Sequence, residues 1–286
     1  MEDLEVVTAV ASWQALHEHL RADPSQPAWI RGGVPASWSW EEVRRLAGDR
    51  NLEVDVAADG LHMGGLGPYE KKLRARVSMT FGELLDRLER PGCRPPILRE
   101  GESCYGYQLA AGGLPELASL LPERPPVLPQ EATAQLWISA PPGVTPPHTD
   151  GWVTNLFVQL AGRKTVLLWD PSQAADLGIR PFGEIHSRQM AYEPAAGERS
   201  VPLGSRGALR ANLGAGDAVW IPEGWIHAVR TDTMSASVSW WGSRRTHLEA
   251  GLMQVVQELR GLSAPLQRLY LHLLRWPEAM LDEGRR

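Results

Sequence analysis

The sequence predicts a mainly β fold with flanking helices, and three observations carry that prediction. Between about residues 131 and 242, short apolar runs recur with turn residues between them, at the spacing of a jelly-roll or barrel. Beyond that stretch the apolar residues space instead at a period of about 3.6, the mark of amphipathic helices. Within it lies a His-x-Asp pair, His148 and Asp150, with His227 about eighty positions later. The chain divides accordingly into an N-terminal α/β flanking region (1–130), a β core (131–242) and a C-terminal helical region (243–286).

The elements follow in order. Trp13, Leu16 and Leu20 space like one face of a helix. Ser39-Trp40-Glu41-Glu42 is a capping box leading into Val43 and Leu46, and Thr80-Phe81-Gly82-Glu83 is another leading into Leu84, Leu85 and Leu88. Pro95-Pro96 and the stretch from Pro122 to Pro129 break the pattern as loops, the second running into the core. Core strands are expected at Gln135–Ser139, Thr154–Leu160, Thr165–Trp169, Ala218–Ile221 and Val238–Trp241. Ala161-Gly162 reads as a hairpin turn joining two of them. His148 and His227 fall at strand ends or adjoining loops, where a barrel mouth would lie. In the last region Leu248, Leu252, Val255, Val256 and Leu259 form one helical stripe. Leu266, Leu269, Tyr270, Leu273 and Leu274 form a second after Pro265. Such helices pack on the core or join two copies in a homodimer.

Composition narrows the function classes. The chain has 286 residues, 43% hydrophobic and 22% charged, enough for one large domain or one with helical additions. A net charge of -5 argues against binding nucleic acid through a broad basic surface. The two cysteines, Cys93 and Cys104, offer neither a disulfide framework nor zinc-thiolate spacing, which fits a cytoplasmic protein. No apolar run is long enough for a membrane span, and the acidic start Met1-Glu2-Asp3 is unlike a secretory leader. Twelve tryptophans stand against three phenylalanines; their plain role is packing, though several fall near the His-x-Asp pair.

The His-x-Asp pair has a chemical logic. Residues i and i+2 of an extended strand project to the same side, so His148 and Asp150 can face one ion. His227 would then reach it from a strand on the opposite wall of a closed barrel. Two imidazoles and a carboxylate fill one face of an octahedral metal and leave three positions open, the arrangement of a non-haem Fe(II) oxygenase. The bland alternative is a chance pairing in a chain with eight histidines. His17, His19, His62 and His272 have no partner at ligand spacing, and His186 and His247 read as surface residues.

Lys164 also stands out. Of 29 basic residues only Lys71, Lys72 and Lys164 are lysine, and Lys164 lies in the apolar run Lys164-Thr165-Val166-Leu167-Leu168-Trp169. Either it presents a point charge to an anionic cosubstrate, or its stem packs while its head reaches water.

Taken together, three segments resemble the JmjC (cupin-like) Fe(II)- and 2-oxoglutarate-dependent oxygenases. They are His148-Thr149-Asp150, Asn155-Leu156-Phe157-Val158-Gln159-Leu160-Ala161-Gly162-Arg163-Lys164, and Gly216-Asp217 through Ile221-Pro222-Glu223-Gly224-Trp225-Ile226-His227. The style is that of the family's small hydroxylases, the asparaginyl hydroxylases among them. The resemblance covers about 130–242 and extends more loosely to Pro27-Ala28-Trp29-Ile30-Arg31-Gly32. It implies a double-stranded β-helix core, a jelly-roll of the cupin type, with flanking helices. It implies His148, Asp150 and His227 as iron ligands and as the catalytic centre, and Lys164 as partner of the distal carboxylate of 2-oxoglutarate. Thr145, Asn155 and Tyr107 would join that cosubstrate site, with Tyr105 as the alternative to Tyr107. Ser239 stands where the asparaginyl hydroxylase has Asn, which leaves its role unassigned.

The activity implied is hydroxylation of a peptide or protein side chain, or of an amino-acid-like metabolite, with O₂ consumed and 2-oxoglutarate converted to succinate and CO₂. N-methyl demethylation is the related outcome. Two rivals remain: a catalytically silent cupin-like binding protein, and a metal-dependent cupin enzyme without 2-oxoglutarate. Cupins of the latter sort commonly use three His and a Glu, and have no need of Lys164.

Overall fold

The computed structural model describes residues 8–10, 12–34, 38–57, 73–89, 103–109, 114–129, 132–141, 143–150, 153–174, 188–189 and 208–242. In chain order these form β1 (Thr8–Val10), α1 (Trp13–Ala22), β2 (Ala28–Ile30), α2 (Trp40–Ala47), β3 (Asn51–Ala57), β4 (Leu73–Thr80), α3 (Phe81–Glu89) and β5 (Ser103–Leu109). The core strands follow as β6 (Thr133–Ser139), β7 (Val144–Thr149), β8 (Thr154–Ala161), β9 (Lys164–Trp169), β10 (Arg188–Gln189), β11 (Leu209–Leu213), β12 (Ala218–Ile221), β13 (Ile226–Thr231) and β14 (Ser235–Gly242). The expected C-terminal helices of 243–286 lie outside the described residues, as do His62, Lys71, Lys72, Cys93, Pro95-Pro96, His186, His247 and His272. Among the described residues, no helix is long and apolar enough to cross a membrane.

The strands build two sheets. The large one runs β1-β2-β12-β8-β14-β6-β5-β3-β4 and the small one β10-β7-β13-β9-β11. The β region therefore extends well before residue 131. β1 and β2 continue the large sheet beyond β12, and β5, β3 and β4 continue it beyond β6.

Alternation along the strands sorts side chains into two cores. Leu156, Val158 and Leu160 of β8, with Ala236, Val238 and Trp240 of β14, pack against Leu16, Leu20, Val43 and Leu84 of the helices. The intervening Phe157 joins Val166, Leu168, Val219, Ile221, Trp225 and Val229 between the sheets. Both faces of β8 are thus covered, and Thr154 to Leu160 are buried throughout. That is why β8 reads as a continuous apolar run rather than an alternating one.

The helix starts follow their capping residues. Thr80 Oγ1 accepts from the Glu83 amide (3.2 Å) and the Glu83 carboxylate accepts from the Thr80 amide (2.8 Å), a complete capping box ahead of α3. At α2 only half the box forms: Ser39 Oγ accepts from the Glu42 amide, while the Glu42 carboxylate pairs with Arg45. The Gly216-Asp217 turn ties three segments together. Asp217 accepts from the amides of Gly32 (2.7 Å) and Gly214 (2.9 Å), and Gly216 donates to the Gln159 carbonyl.

One expected connection is different. Ala161-Gly162 is not a hairpin turn, because β8 pairs with β12 and β14 in the large sheet while β9 pairs with β13 and β11 in the small one. The chain crosses between sheets there. Gly162 has φ 70°, and a Cβ on it would lie 2.0 Å from the Met234 carbonyl oxygen, so the corner closes only on glycine.

Candidate metal centre

The centre begins with a strand that the sequence disguises. β7 reads Val144-Thr145-Pro146-Pro147-His148-Thr149, and prolines cannot donate to a ladder. The pairing accommodates them by a register shift. His148 lies opposite His227 and Thr145 opposite Val229, so three steps on β7 match two on β13. The shift, a β-bulge, turns Thr145 and His148 to the same side although they are three residues apart. His227 does not come from the opposite wall of the barrel. It sits on the neighbouring strand of the same small sheet, directly across from His148.

Asp150 follows one residue beyond the end of β7. Its Oδ1 lies 3.5 Å from His148 Nε2 and its Oδ2 3.5 Å from His227 Nε2. The two imidazole rings are 4.2 Å apart between centroids. One ligand atom from each of the three residues falls within 4.8 Å of the others, a group that could hold a metal ion. The fit to a metal is good in two further respects. The His227 ring donates from Nδ1 to the Trp225 carbonyl (3.3 Å), which leaves the Nε2 lone pair toward the group. Asn155 Nδ2 donates to Asp150 Oδ2 at 2.7 Å and orients the carboxylate.

The charge state suits the same purpose. Burial by itself would raise the Asp150 carboxyl, but His227, His148 and the Asn155 amide outweigh it and hold the group well below the usual carboxylate range. Burial is also the largest influence on His227, pushing it down to about 4, with His148 acting the same way. At neutral pH an ionised Asp150 therefore faces a neutral His227, as metal ligation requires.

Lys164 opens β9 with only 2% of its surface exposed, which removes the reading in which its head reaches water. The register places Thr231, Val229 and His227 of β13 opposite Lys164, Val166 and Leu168 of β9, all on the face between the sheets. Lys164 thus starts four residues, roughly 13 Å, deeper than the histidine level. Its Nζ donates to Ser237 Oγ at 2.8 Å and lies 5.4 Å from the centre of the Phe157 ring. Among the described residues it makes no ion pair, and burial pushes its ammonium down to about 7.

The remaining expected residues fall as follows. Thr145 is half-buried on the inner side of the bulge. Asn155 reaches Asp150, and its Oδ1 is buried without a hydrogen-bond partner among the described residues. Tyr107 lies opposite Trp137 in the β5–β6 register and Tyr105 opposite Ser139; their side chains are outside the described residues. Ser239 accepts from Trp137 Nε1 at 3.1 Å. Sequence reasoning missed Ser237 and Trp137. The signal was the alternation Ser235-Ala236-Ser237-Val238-Ser239, which puts Ser237 and Ser239 on the face of the large sheet toward Lys164, beside Trp137 of the neighbouring β6.

A sequence profile described as "Cupin-like domain" matches residues 16–246. The chain belongs to this cupin-like family. The chain is also similar to three enzymes whose names record action on lysine. The lysine-specific demethylase JMJ31 of Arabidopsis thaliana is 34% identical over 91 residues, 30% of this chain and 17% of that protein. The bifunctional peptidase and (3S)-lysyl hydroxylase JMJD7 of Homo sapiens is 24% identical over 272 aligned positions, covering 82% of this chain and 83% of the human protein. Lysine-specific demethylase 8 of Xenopus tropicalis is 22% identical over 243 positions, 79% of this chain and 51% of that protein. The matches thus span less than two thirds of the length of two of these three relatives. The matched span contains strands β2 to β14 and all three residues of the His-Asp-His group.

Proposed function

We propose that the protein is an Fe(II)- and 2-oxoglutarate-dependent oxygenase that hydroxylates a lysyl side chain of a peptide or protein. The observation that carries the reading is Lys164: a buried ammonium, without a carboxylate partner among the described residues, on the same inner face as the His-Asp-His group. A buried charge is retained only with compensation, and the terminal carboxylate of a short dicarboxylic acid supplies it. The lysyl substrate is inferred from the three relatives, two named as lysine-specific demethylases and one as a (3S)-lysyl hydroxylase. The bound iron would activate O₂ and couple decarboxylation of 2-oxoglutarate to oxidation of a substrate C–H bond.

The protein's own residues do the rest. His148, Asp150 and His227 would hold the metal, leaving three positions open. Lys164 and Ser237 would fix the far carboxylate of the cosubstrate, and the Thr145 hydroxyl would add a hydrogen bond from the bulge. Phe157, Val166 and Val229 form an apolar wall between the two ends. That wall excludes water and strengthens the Lys164–carboxylate attraction.

The test is succinate release from 2-oxoglutarate by iron-loaded protein, with lysine-containing peptides and an Asp150→Ala control. Peptide-stimulated turnover that the variant abolishes supports the oxygenase. Formaldehyde release from N-methyl-lysyl peptides would move the assignment to demethylation. Tight 2-oxoglutarate binding with no turnover on any lysyl or free amino-acid substrate would favour the silent binding protein.

A further inference from the structure

The His227 ring is held by a line of contacts that ends far from the centre. Its Nδ1 donates to the backbone carbonyl of Trp225. Trp225 is itself anchored: its indole Nε1 donates to the Ser25 carbonyl at 2.8 Å, a contact across 200 residues of chain. Ser25 lies in the loop between α1 and β2, and that loop is fixed in turn. Asp23 Oδ1 accepts from the Ser25 amide at 2.9 Å and the Ser25 hydroxyl at 2.6 Å, an Asx turn. The Asp23 amide donates to the His19 carbonyl, and the His19 ring contacts the Gln26 carbonyl at 3.2 Å, so both sides of the turn are tied to α1.

We infer that Trp225 is a positioning residue for the metal centre, and that the Asp23–Ser25 turn is its remote support. The inference rests on the His-Asp-His group being a metal site. The physical case is one of rotational freedom. Trp225 packs in the inter-sheet core at 6% exposure, and its amide donates to the Pro222 carbonyl (3.2 Å) to close the turn after β12. With the indole pinned at one end, the peptide plane carrying the Trp225 carbonyl cannot swing away. The imidazole then keeps the orientation and the tautomer that present Nε2 to a metal. Groups that orient a ligand through its second nitrogen characteristically change metal affinity by about 10–100-fold when lost. Neither Trp225 nor Asp23 would touch the metal or the substrate.

The experiment measures Co(II) binding to the full chain under anaerobic conditions, by titration and by the visible ligand-field spectrum, beside thermal unfolding of the metal-free protein. Trp225→Phe keeps a ring in the core and removes the indole N–H. Expected is a Co(II) affinity lower by about tenfold or more, with an altered spectrum. Asp23→Ala should weaken Co(II) binding in the same direction by less, and Asp23→Asn, which preserves the Asx acceptor, should restore it. This exposed pair tests the line even where Trp225→Phe fails to fold. Wild-type affinity and spectrum in folded Trp225→Phe, or equal affinities for Asp23→Ala and Asp23→Asn, would overturn the inference and leave the metal site standing. Failure of the wild-type protein to bind Co(II), together with an unaltered Asp150→Ala, would overturn the metal reading itself.

Discussion

At the scale of single residues, Lys164 sets the sharpest expectations. Lys164→Met removes the charge and keeps much of the stem. It should weaken 2-oxoglutarate binding by about 2–5 kcal/mol, at least ~30-fold, measured calorimetrically, while Co(II) still binds. The sign of the pH effect follows from the lowered lysine. Its folded value of about 7 lies below the ordinary value near 10.4. Between those values the unfolded chain binds a proton that the folded protein does not. Stability of the ligand-free protein should therefore rise with pH across that window, by at most about 1.4 kcal/mol per unit. Denaturant unfolding at pH 7 and pH 9 should show the rise in wild type and lose it in Lys164→Met. A carboxylate bound at Lys164 favours the charged amine, so 2-oxoglutarate affinity should fall over the same range. A flat profile would detach the cosubstrate from Lys164.

At the scale of elements, connections carry more constraint than strands. Gly162→Ala forces a Cβ against the Met234 carbonyl at a φ of 70° and should destabilise the protein by at least about 2 kcal/mol in urea unfolding. Thr80→Ala should cost about 1 kcal/mol by opening the α3 cap, far from the centre and without effect on metal binding. The same contrast decides what could be read in advance. β8, β9 and β12 are apolar runs and were legible. β7 was not, because Pro146-Pro147 disqualify it locally and only pairing with β13 rescues it through a bulge. β14 was half legible: Val238 to Trp241 look like a strand, whereas Ser235 to Ser237 look like a turn until the wall they form is known. The corner at Gly162 was legible as a turn but not as a change of sheet, since local sequence does not name a strand's partner. Within the centre, the His148-Asp150 spacing and the lone Lys164 were visible in the chain. The Ser237 and Trp225 contacts were not, because they depend on residues 73 and 200 positions away.

At the scale of the whole molecule, strand pairing sets His148 beside His227, with Asp150 just past the end of β7, so the folded state alone presents the His-Asp-His group. A metal that binds only this state should stabilise it by mass action, about 2.7 kcal/mol at a free concentration 100 times its dissociation constant. Scanning calorimetry with and without Co(II) should show an upward shift in wild type and none in Asp150→Ala. A shift of equal size in both proteins would mean that the ion binds elsewhere.

The sheet order also has a consequence in time. β2 pairs with β12, so Ala28-Trp29-Ile30 has its antiparallel neighbour in Ala218 to Trp220. During synthesis at about 5–20 residues per second, that neighbour emerges roughly 10–40 s after β2. For that interval an apolar segment made early waits, unpaired on that side, for a strand made late. Ribosome-bound nascent chains halted shortly before residue 218 should be more open to protease around β2 than those released after residue 242. The rate of ribosomal elongation, as much as the final stability, would then govern how much protein reaches the native state.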